Sequence, residues 1–310
     1  MATRYGSFQE LQSEVARLRE SGDLAGALAL MAREREAFPE QAAHAYLWRA
    51  GLSASLGRVD DAVRIFAEAL AAGCRYPLPA LQSQALAPLH EIVEFERLAH
   101  IAAMRYDAEL AASRPKLVIR RPARDDVCGT LLVLHGNNSR ADRTVPYWEP
   151  AIGLGWRLAL AQSAEISWTP GMFVWDDRAM AERDVAAHVA RLLGDDDVDP
   201  RRVVLAGYSM GALRALQLAI GGLVDARAVV VVGPYLPPAE LDALVAPRDV
   251  RSWITVGARD REGHPGSVAL ADRLRGAGIP VHLDVRAGLG HAYPEDMERV
   301  LADALTFALG

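Results

Sequence analysis

Two hydrophobic periodicities divide the chain. Over residues 8–112 apolar side chains recur at three- and four-residue spacing, as amphipathic helices require, whereas from residue 116 onward short runs rich in Val, Ile and Leu alternate with helical runs. The change falls near Arg114 to Lys116, so the pattern predicts a helical domain over residues 1–115 and a second domain over residues 116–310. In the second, strands are expected at Leu117–Arg120, Thr130–His135, Arg157–Gln162, Val203–Gly207, Ala228–Val232, Ser252–Val256 and Val281–Val285. Helices are expected at Ala179–Leu193, Gly211–Gly221, Ser267–Gly276 and Pro294–Leu309. Strands without polar alternation are buried on both faces, which calls for a parallel sheet covered by helices on either side. The expected fold class is therefore α/β, a doubly wound and mostly parallel sheet preceded by a smaller all-α domain of helical hairpins.

Within the helical part, Arg19–Pro39 and Ser55–Pro77 overlay at an offset of 35 residues, setting Gly22 on Gly57 and Ala27 on Ala62. In the second copy Ala50, Ala62 and Ala69 are small enough for two helices to approach, and Phe66 fills the gap between them; in the first copy Met31 takes the aromatic position and Pro39 the terminating one. This resembles the tetratricopeptide repeat, whose period is ~34 residues, although Arg49 and Ser53 stand where that repeat carries apolar and aromatic residues. Such hairpins bury their faces only by stacking, and about three are needed. Leu81–Ala112 is then expected to form a third hairpin or a bridge to the second domain. The helical domain is open to three roles: plain packing, docking of a protein partner, or covering the entrance to a site in the second domain.

The 34 basic and 40 acidic residues leave a net charge of -6 with no long single-sign block, which argues against DNA or RNA as a partner. No run of ~18 consecutive apolar residues occurs, so no membrane-spanning helix is expected. Residues Met1 to Gln12 are polar and carry Arg4, unlike a signal peptide. The two cysteines, Cys74 and Cys128, fall in different expected domains without metal-ligand spacing. A cytoplasmic, reduced protein with neither metal nor cofactor is the expectation.

The segment that carries chemistry is Arg202–Ile220. There the apolar run Val203-Val204-Leu205 leads into Gly207-Tyr208-Ser209-Met210-Gly211 and directly into an amphipathic helix. Strand, G-x-S-x-G, helix is the order of a nucleophile elbow: the glycines let strand and helix pack closely, and the serine is lifted above the sheet at a helix start that favours negative charge. A serine needs a base, and the order for this arrangement is serine, acid, histidine. Of the three downstream histidines, His264 lies in the loop of the acid candidate and His282 inside a strand pattern, whereas His291 sits in the glycine-rich turn Gly288-Leu289-Gly290-His291 after the last strand, before a helix that Pro294 is expected to open. The acid should leave the end of the preceding strand, which supplies Asp260; Glu262 is its nearest rival, and Asp284 lies within a strand. Oxyanion donors are expected from the backbone N–H of Met210 and from the turn His135-Gly136-Asn137-Asn138, with Asn137 the donor and Asn138 the fallback. His135 is read as a brace for that turn.

Together these motifs resemble the α/β-hydrolase superfamily, specifically its small carboxylesterase, phospholipase-like and dienelactone-hydrolase-like branches, over residues 116–310. Those branches often continue the His-Gly pair with more glycine or an aspartate, where this chain has Asn137-Asn138-Ser139. The resemblance implies a serine hydrolase acting on a carboxylic ester or thioester through an acyl-enzyme, with Ser209, His291 and Asp260 as triad. Tyr147, Trp148, Trp168, Trp175 and Tyr208 are candidate substrate contacts, set against the alternative that these rings pack helices onto the sheet. Fewer than about twenty residues separate Val232 from Ser252, too few for a lipase-type lid domain. The competing readings are an acyltransferase using the same triad and a helical-repeat interaction protein with an inactive hydrolase domain.

Overall fold

The computed structural model describes residues 5–123, 127–195, 197–242, 244 and 249–310. The expectation drawn from Met1 to Arg4, and part of the stretch between Val232 and Ser252, lie outside the described residues. The chain separates into two compact units, Met1–Ser113 with Ile166–Met172, and Arg114–Glu165 with Phe173–Gly310. The division falls two residues from the expected one, and the short excursion Ile166–Met172, which belongs to the helical unit, has no counterpart in the periodicity.

The helical unit comprises α1 (Phe8–Glu20), α2 (Leu24–Arg33), α3 (Ala42–Ser55), α4 (Val59–Ala71), the single turn α5 (Leu78–Leu81), a 3-10 segment Gln84–Leu89, and the long α6 (Val93–Ala112). Capping explains where the first two begin: Ser7 Oγ accepts from the Glu10 N–H and Asp23 Oδ1 from the Gly26 N–H. The residues matched by the 35-residue offset play matched parts. Gly22 and Gly57 both take positive φ, +80° and +73°, closing the turns after α1 and α3. Ala27 and Ala62 are fully buried, as are Met31 and Phe66. Leu81–Ala112 is not a hairpin; Pro88 holds its first part in the 3-10 segment, and only α6 is a full helix.

The second unit is the expected α/β fold. Its sheet has the order β1-β3-β2-β4-β5-β6-β7, in which β1 (Lys116–Arg120) is antiparallel to β3 (Trp156–Gln162), and β2 (Gly129–Leu134), β4 (Val203–Tyr208), β5 (Ala228–Val232), β6 (Arg251–Gly257) and β7 (Val281–Arg286) run parallel with it. Alternate residues of the central strands serve opposite faces. Leu132, Leu134, Leu205, Val229, Val231 and Ile254 pack beneath α9 (Arg178–Leu193), α10 (Met210–Ile220) and α12 (His264–Gly276). Leu131, Val133, Val204, Ala206, Val230 and Val232 pack beneath α7 (Ala141–Trp148), α8 (Pro150–Gly153) and α13 (Met297–Leu309). A short α11 (Pro238–Asp242) lies between β5 and β6. Because both faces are covered, both phases of each strand had to be apolar, which is why the sequence showed runs rather than alternation.

The order also fixes where a site can form. The chain leaves β2 toward β3 on one side and returns to β4 on the other, so the turns after β2 and β4 diverge and open a crevice at the carboxyl ends of these strands. One element starts later than expected. The last helix begins at Met297, not Pro294, because Asp296 accepts two hydrogen bonds from the Arg286 guanidinium at 3.0 and 3.3 Å, and Tyr293 stacks on Tyr208, holding the chain as a loop for three more residues. No helix among the described residues is long and apolar enough to cross a membrane.

Candidate active site

The turn after β4 places Ser209 at φ +56° and ψ -122°, a left-handed conformation that costs a non-glycine residue on the order of 1–3 kcal/mol and persists only where its surroundings over-determine it. Those surroundings are tight. A Cβ on Gly207 would sit 2.6 Å from the Gly211 backbone, and one on Gly211 would sit 2.2 Å from the His135 carbonyl oxygen, so both motif glycines are required by close backbone approach. The Ser209 N–H donates to the Val232 carbonyl at 3.2 Å and its carbonyl accepts from the Tyr235 N–H at 3.2 Å. Ser209 thus precedes the first turn of α10, whose leading N–H groups have no helical partner.

His291 and Asp260 meet Ser209 there. His291 Nε2 lies 2.8 Å from Ser209 Oγ, and its Nδ1 lies 2.7 Å from Asp260 Oδ2. Asp260 is buried. Burial alone would favour its neutral form, but the hydrogen bond and charge of His291, with N–H donation from Gly263 at 2.9 Å and Glu262 at 3.3 Å, outweigh that and hold the carboxyl below its ordinary value. A carboxylate kept ionised fixes the imidazole as the tautomer carrying its proton on Nδ1, leaving Nε2 free to accept from the serine hydroxyl. Glu262, the rival acid, is exposed and contributes only its backbone N–H to Asp260. His264 begins α12. His282 stacks on Trp253 with ring centroids 3.8 Å apart.

On the other side of the crevice, the turn after β2 is braced as expected. His135 is fully buried, its Nδ1 2.7 Å from the Gly136 carbonyl and its Nε2 3.3 Å from the Ser163 N–H; burial lowers its pKa to about 4, so it is a neutral ring with both nitrogens engaged by backbone. Gly136 lies against Ser209, since a Cβ there would stand 3.4 Å from Ser209 Cβ and 2.8 Å from Tyr208 Cδ1. The Asn137 side chain is pinned at both ends, Oδ1 accepting from the Trp175 N–H at 2.9 Å and Nδ2 donating to Asp176 Oδ1 at 2.6 Å. Asn138 takes φ +53°, and Ser139 pairs with Phe173 in a two-residue bridge.

No motif in the chain points to what anchors this turn. Arg214, buried in α10, donates through Nε to the Trp175 carbonyl and through Nη2 to the Asp176 carbonyl, both at 2.8 Å, and through Nη1 to Gln217 Oε1 at 2.7 Å; Gln217 in turn donates to Glu240 at 2.7 Å. The helix that Ser209 precedes therefore grips the segment that grips Asn137. Beside it, Glu165 accepts from the Asp177 N–H at 2.9 Å, and burial, with Asp176 and Asp177 near, raises its pKa to about 7.

The aromatic candidates part company. Tyr208 donates its hydroxyl to the His291 carbonyl at 3.0 Å and stacks at 4.2 Å on Tyr293, which stacks at 3.8 Å on Tyr147. Trp148 is fully buried and donates its indole N–H to the Tyr293 hydroxyl at 3.3 Å. Burial pushes the pKa of the Tyr208 and Tyr293 hydroxyls up, so both stay neutral. Tyr293, two residues beyond His291, completes this ladder and was not among the expected contacts. Trp175 is fully buried and faces His135 at 5.0 Å, which leaves no surface for a substrate. Trp168 belongs to the helical unit, stacked on His44 at 4.5 Å. Among the described residues, no group of three or more His, Cys, Asp or Glu is placed to hold a metal ion.

Residues 160–306 match the model of the dienelactone hydrolase family, and this stretch contains the elbow, the acid and the histidine. Solved structures agree on the fold. An uncharacterized protein from Bacillus cereus is 21% identical over 97% of this chain and 98% of its own, with a TM-score of 0.54, so both units have a counterpart there. The Bacillus cereus carboxylesterase is 16% identical over 66% of this chain and 99% of its own, with a TM-score of 0.50. Est1E from Butyrivibrio proteoclasticus is 16% identical over 64% of this chain and 96% of its own, with a TM-score of 0.52. No curated protein matches the chain. The family match supports a serine hydrolase of the esterase kind.

Proposed function

We propose that the chain hydrolyses carboxylic esters or thioesters of small molecules through an acyl-enzyme on Ser209. The observation that carries this reading is the continuous hydrogen-bonded path from Asp260 through His291 to Ser209 Oγ, at 2.7 and 2.8 Å, ending on a hydroxyl held at a strained elbow. As Oγ attacks the acyl carbon, His291 Nε2 takes its proton, and Asp260 stabilises the imidazolium that results. The oxyanion faces the backbone N–H groups of Met210 and Asn137, the first at the unpartnered start of α10 and the second in the turn held by Asp176 and Trp175. The tetrahedral species then collapses: the bond to the leaving alcohol or thiol breaks, and His291 returns its proton to that group. Water repeats the sequence, giving up its proton to His291 as it attacks the acyl carbon, and the acid leaves with Ser209 restored. Tyr208, through its bond to the His291 carbonyl, and Tyr293 set the backbone that presents the imidazole.

A fluorophosphonate tests this on the intact protein. Labelling of wild type but not of Ser209→Ala is expected. A well-folded wild type that stays unlabelled, while a reference esterase labels in the same tube, contradicts the reading and favours an inactive domain. Release of the leaving alcohol or thiol only when an amine or alcohol acceptor is present, with the acyl group recovered on that acceptor and not as free acid, would contradict hydrolysis and point to acyl transfer.

A further inference from the structure

The helical unit holds a cleft of its own. It has a volume of about 320 Å³ and is walled by Trp48 and Leu52 of α3, Leu86 of the 3-10 segment, and the stacked rings of His44 and Trp168. That size is at the lower end of the ~300–1,000 Å³ of ligand pockets, which pair apolar and aromatic walls with a few polar groups, as here. The polar groups are the Gln12 amide, the hydroxyls of Ser55 and Ser83, and one ion, Arg19. No acidic side chain lines the cleft, and Arg19 is in no ion pair among the described residues. His44 adds no charge: burial lowers its pKa to about 4. Its Nδ1 is buried without a hydrogen-bond partner, a polar capacity that the fold leaves unused.

We propose that this cleft is a binding site for a small aromatic carboxylate, whose flat ring lies against Trp48 and the His44–Trp168 stack and whose anionic end meets Arg19. Flat rings in the wall favour a planar body, the volume admits a single ring, and a lone unpaired guanidinium at an otherwise uncharged rim favours one negative charge in the bidentate geometry carboxylates offer. The site is separate from Ser209 in its residues, and its occupation does not depend on hydrolysis.

Calorimetric titration with hydrocinnamate tests it, using the full-length protein, the Ser209→Ala variant, and two substitutions at exposed rim positions that the fold tolerates, Arg19→Gln and Ser55→Phe. Wild type and Ser209→Ala are expected to bind hydrocinnamate alike. Arg19→Gln should weaken binding about tenfold, the scale of one charge-assisted pair, and the uncharged hydrocinnamamide should bind wild type as weakly as hydrocinnamate binds Arg19→Gln. Ser55→Phe, which fills the mouth, should abolish binding. No saturable binding to wild type, or equal binding by wild type and both rim variants, overturns the proposal, and so does equal affinity for acid and amide. None of these outcomes bears on labelling of Ser209.

Discussion

Around Ser209 and in the cleft of the helical unit, buried polar groups are treated in opposite ways. His135 has both ring nitrogens bonded, Asp260 accepts from the His291 ring and two N–H groups, and Arg214 reaches three acceptors; the exception among these neighbours is the Trp175 indole N–H, which has none. In the cleft, the buried Nδ1 of His44 has no partner and the rim cation is unpaired. A satisfied network in a low dielectric is rigid and has one arrangement. That is what a residue at φ +56° requires, since nothing in Ser209 itself favours the conformation. An unsatisfied wall specifies less and leaves its capacity to a ligand.

The comparison can be broken by removing the network piece by piece. Ser209→Ala should lower turnover by roughly 10⁶-fold while the protein stays folded, because only the nucleophilic oxygen is lost; steady-state kinetics beside a thermal melt checks both halves. Asp260→Asn should cost about 10⁴-fold, since the carboxylate that fixes the His291 tautomer is gone. Arg214→Met leaves the triad intact but frees the Trp175–Asp176 segment that holds Asn137, and should lower kcat by about 10²-fold. KM should move far less, and Arg214→Lys should restore part of the loss. A change in KM alone would show that Arg214 serves binding and not the oxyanion turn.

The smallest effect concerns stability. Glu165 has a folded pKa of about 7, above its ordinary carboxyl value, so the folded state binds more protons than the unfolded state between those two values. Its contribution to stability is fully present below about pH 4.5 and is lost as pH rises through 7. Glu165→Gln, which keeps an acceptor for the Asp177 N–H, should flatten that slope and raise stability at pH 8 by roughly 1–3 kcal/mol. Chemical denaturation at pH 5 and pH 8 reads this directly, and an unchanged difference between the two pH values would contradict it.

How much of this was legible in the sequence follows from range. The elbow and the strand runs depend on neighbours in the chain, and G-x-S-x-G carried its own flanks. Asp260 and His291 could be located because each follows a strand in a fixed order. The Arg214–Gln217–Glu240 chain was invisible: a charged residue in a helix three positions from a glutamine reads as a solvated pair until the helix is known to be buried on that face. Tyr293 left a signal, an aromatic two residues after the histidine, which went unread. The excursion Ile166–Met172 left none, because the contact that holds it, the Ala43 N–H on Thr169 Oγ1 at 3.2 Å, joins residues 126 apart in the chain. The delayed start of the last helix has the same origin, an ion pair from Arg286 that no local rule anticipates.

The central claim is that Ser209 carries the acyl group. Mixing the protein with an excess of an activated short-chain ester, quenching in acid within the first turnover and measuring intact mass tests it most directly. The account predicts a species heavier by one acyl group, mapped by peptide digestion to Ser209 and absent from Ser209→Ala. Steady release of the alcohol with no acylated species and no initial burst, or an acyl group found on another residue and retained in Ser209→Ala, would contradict it.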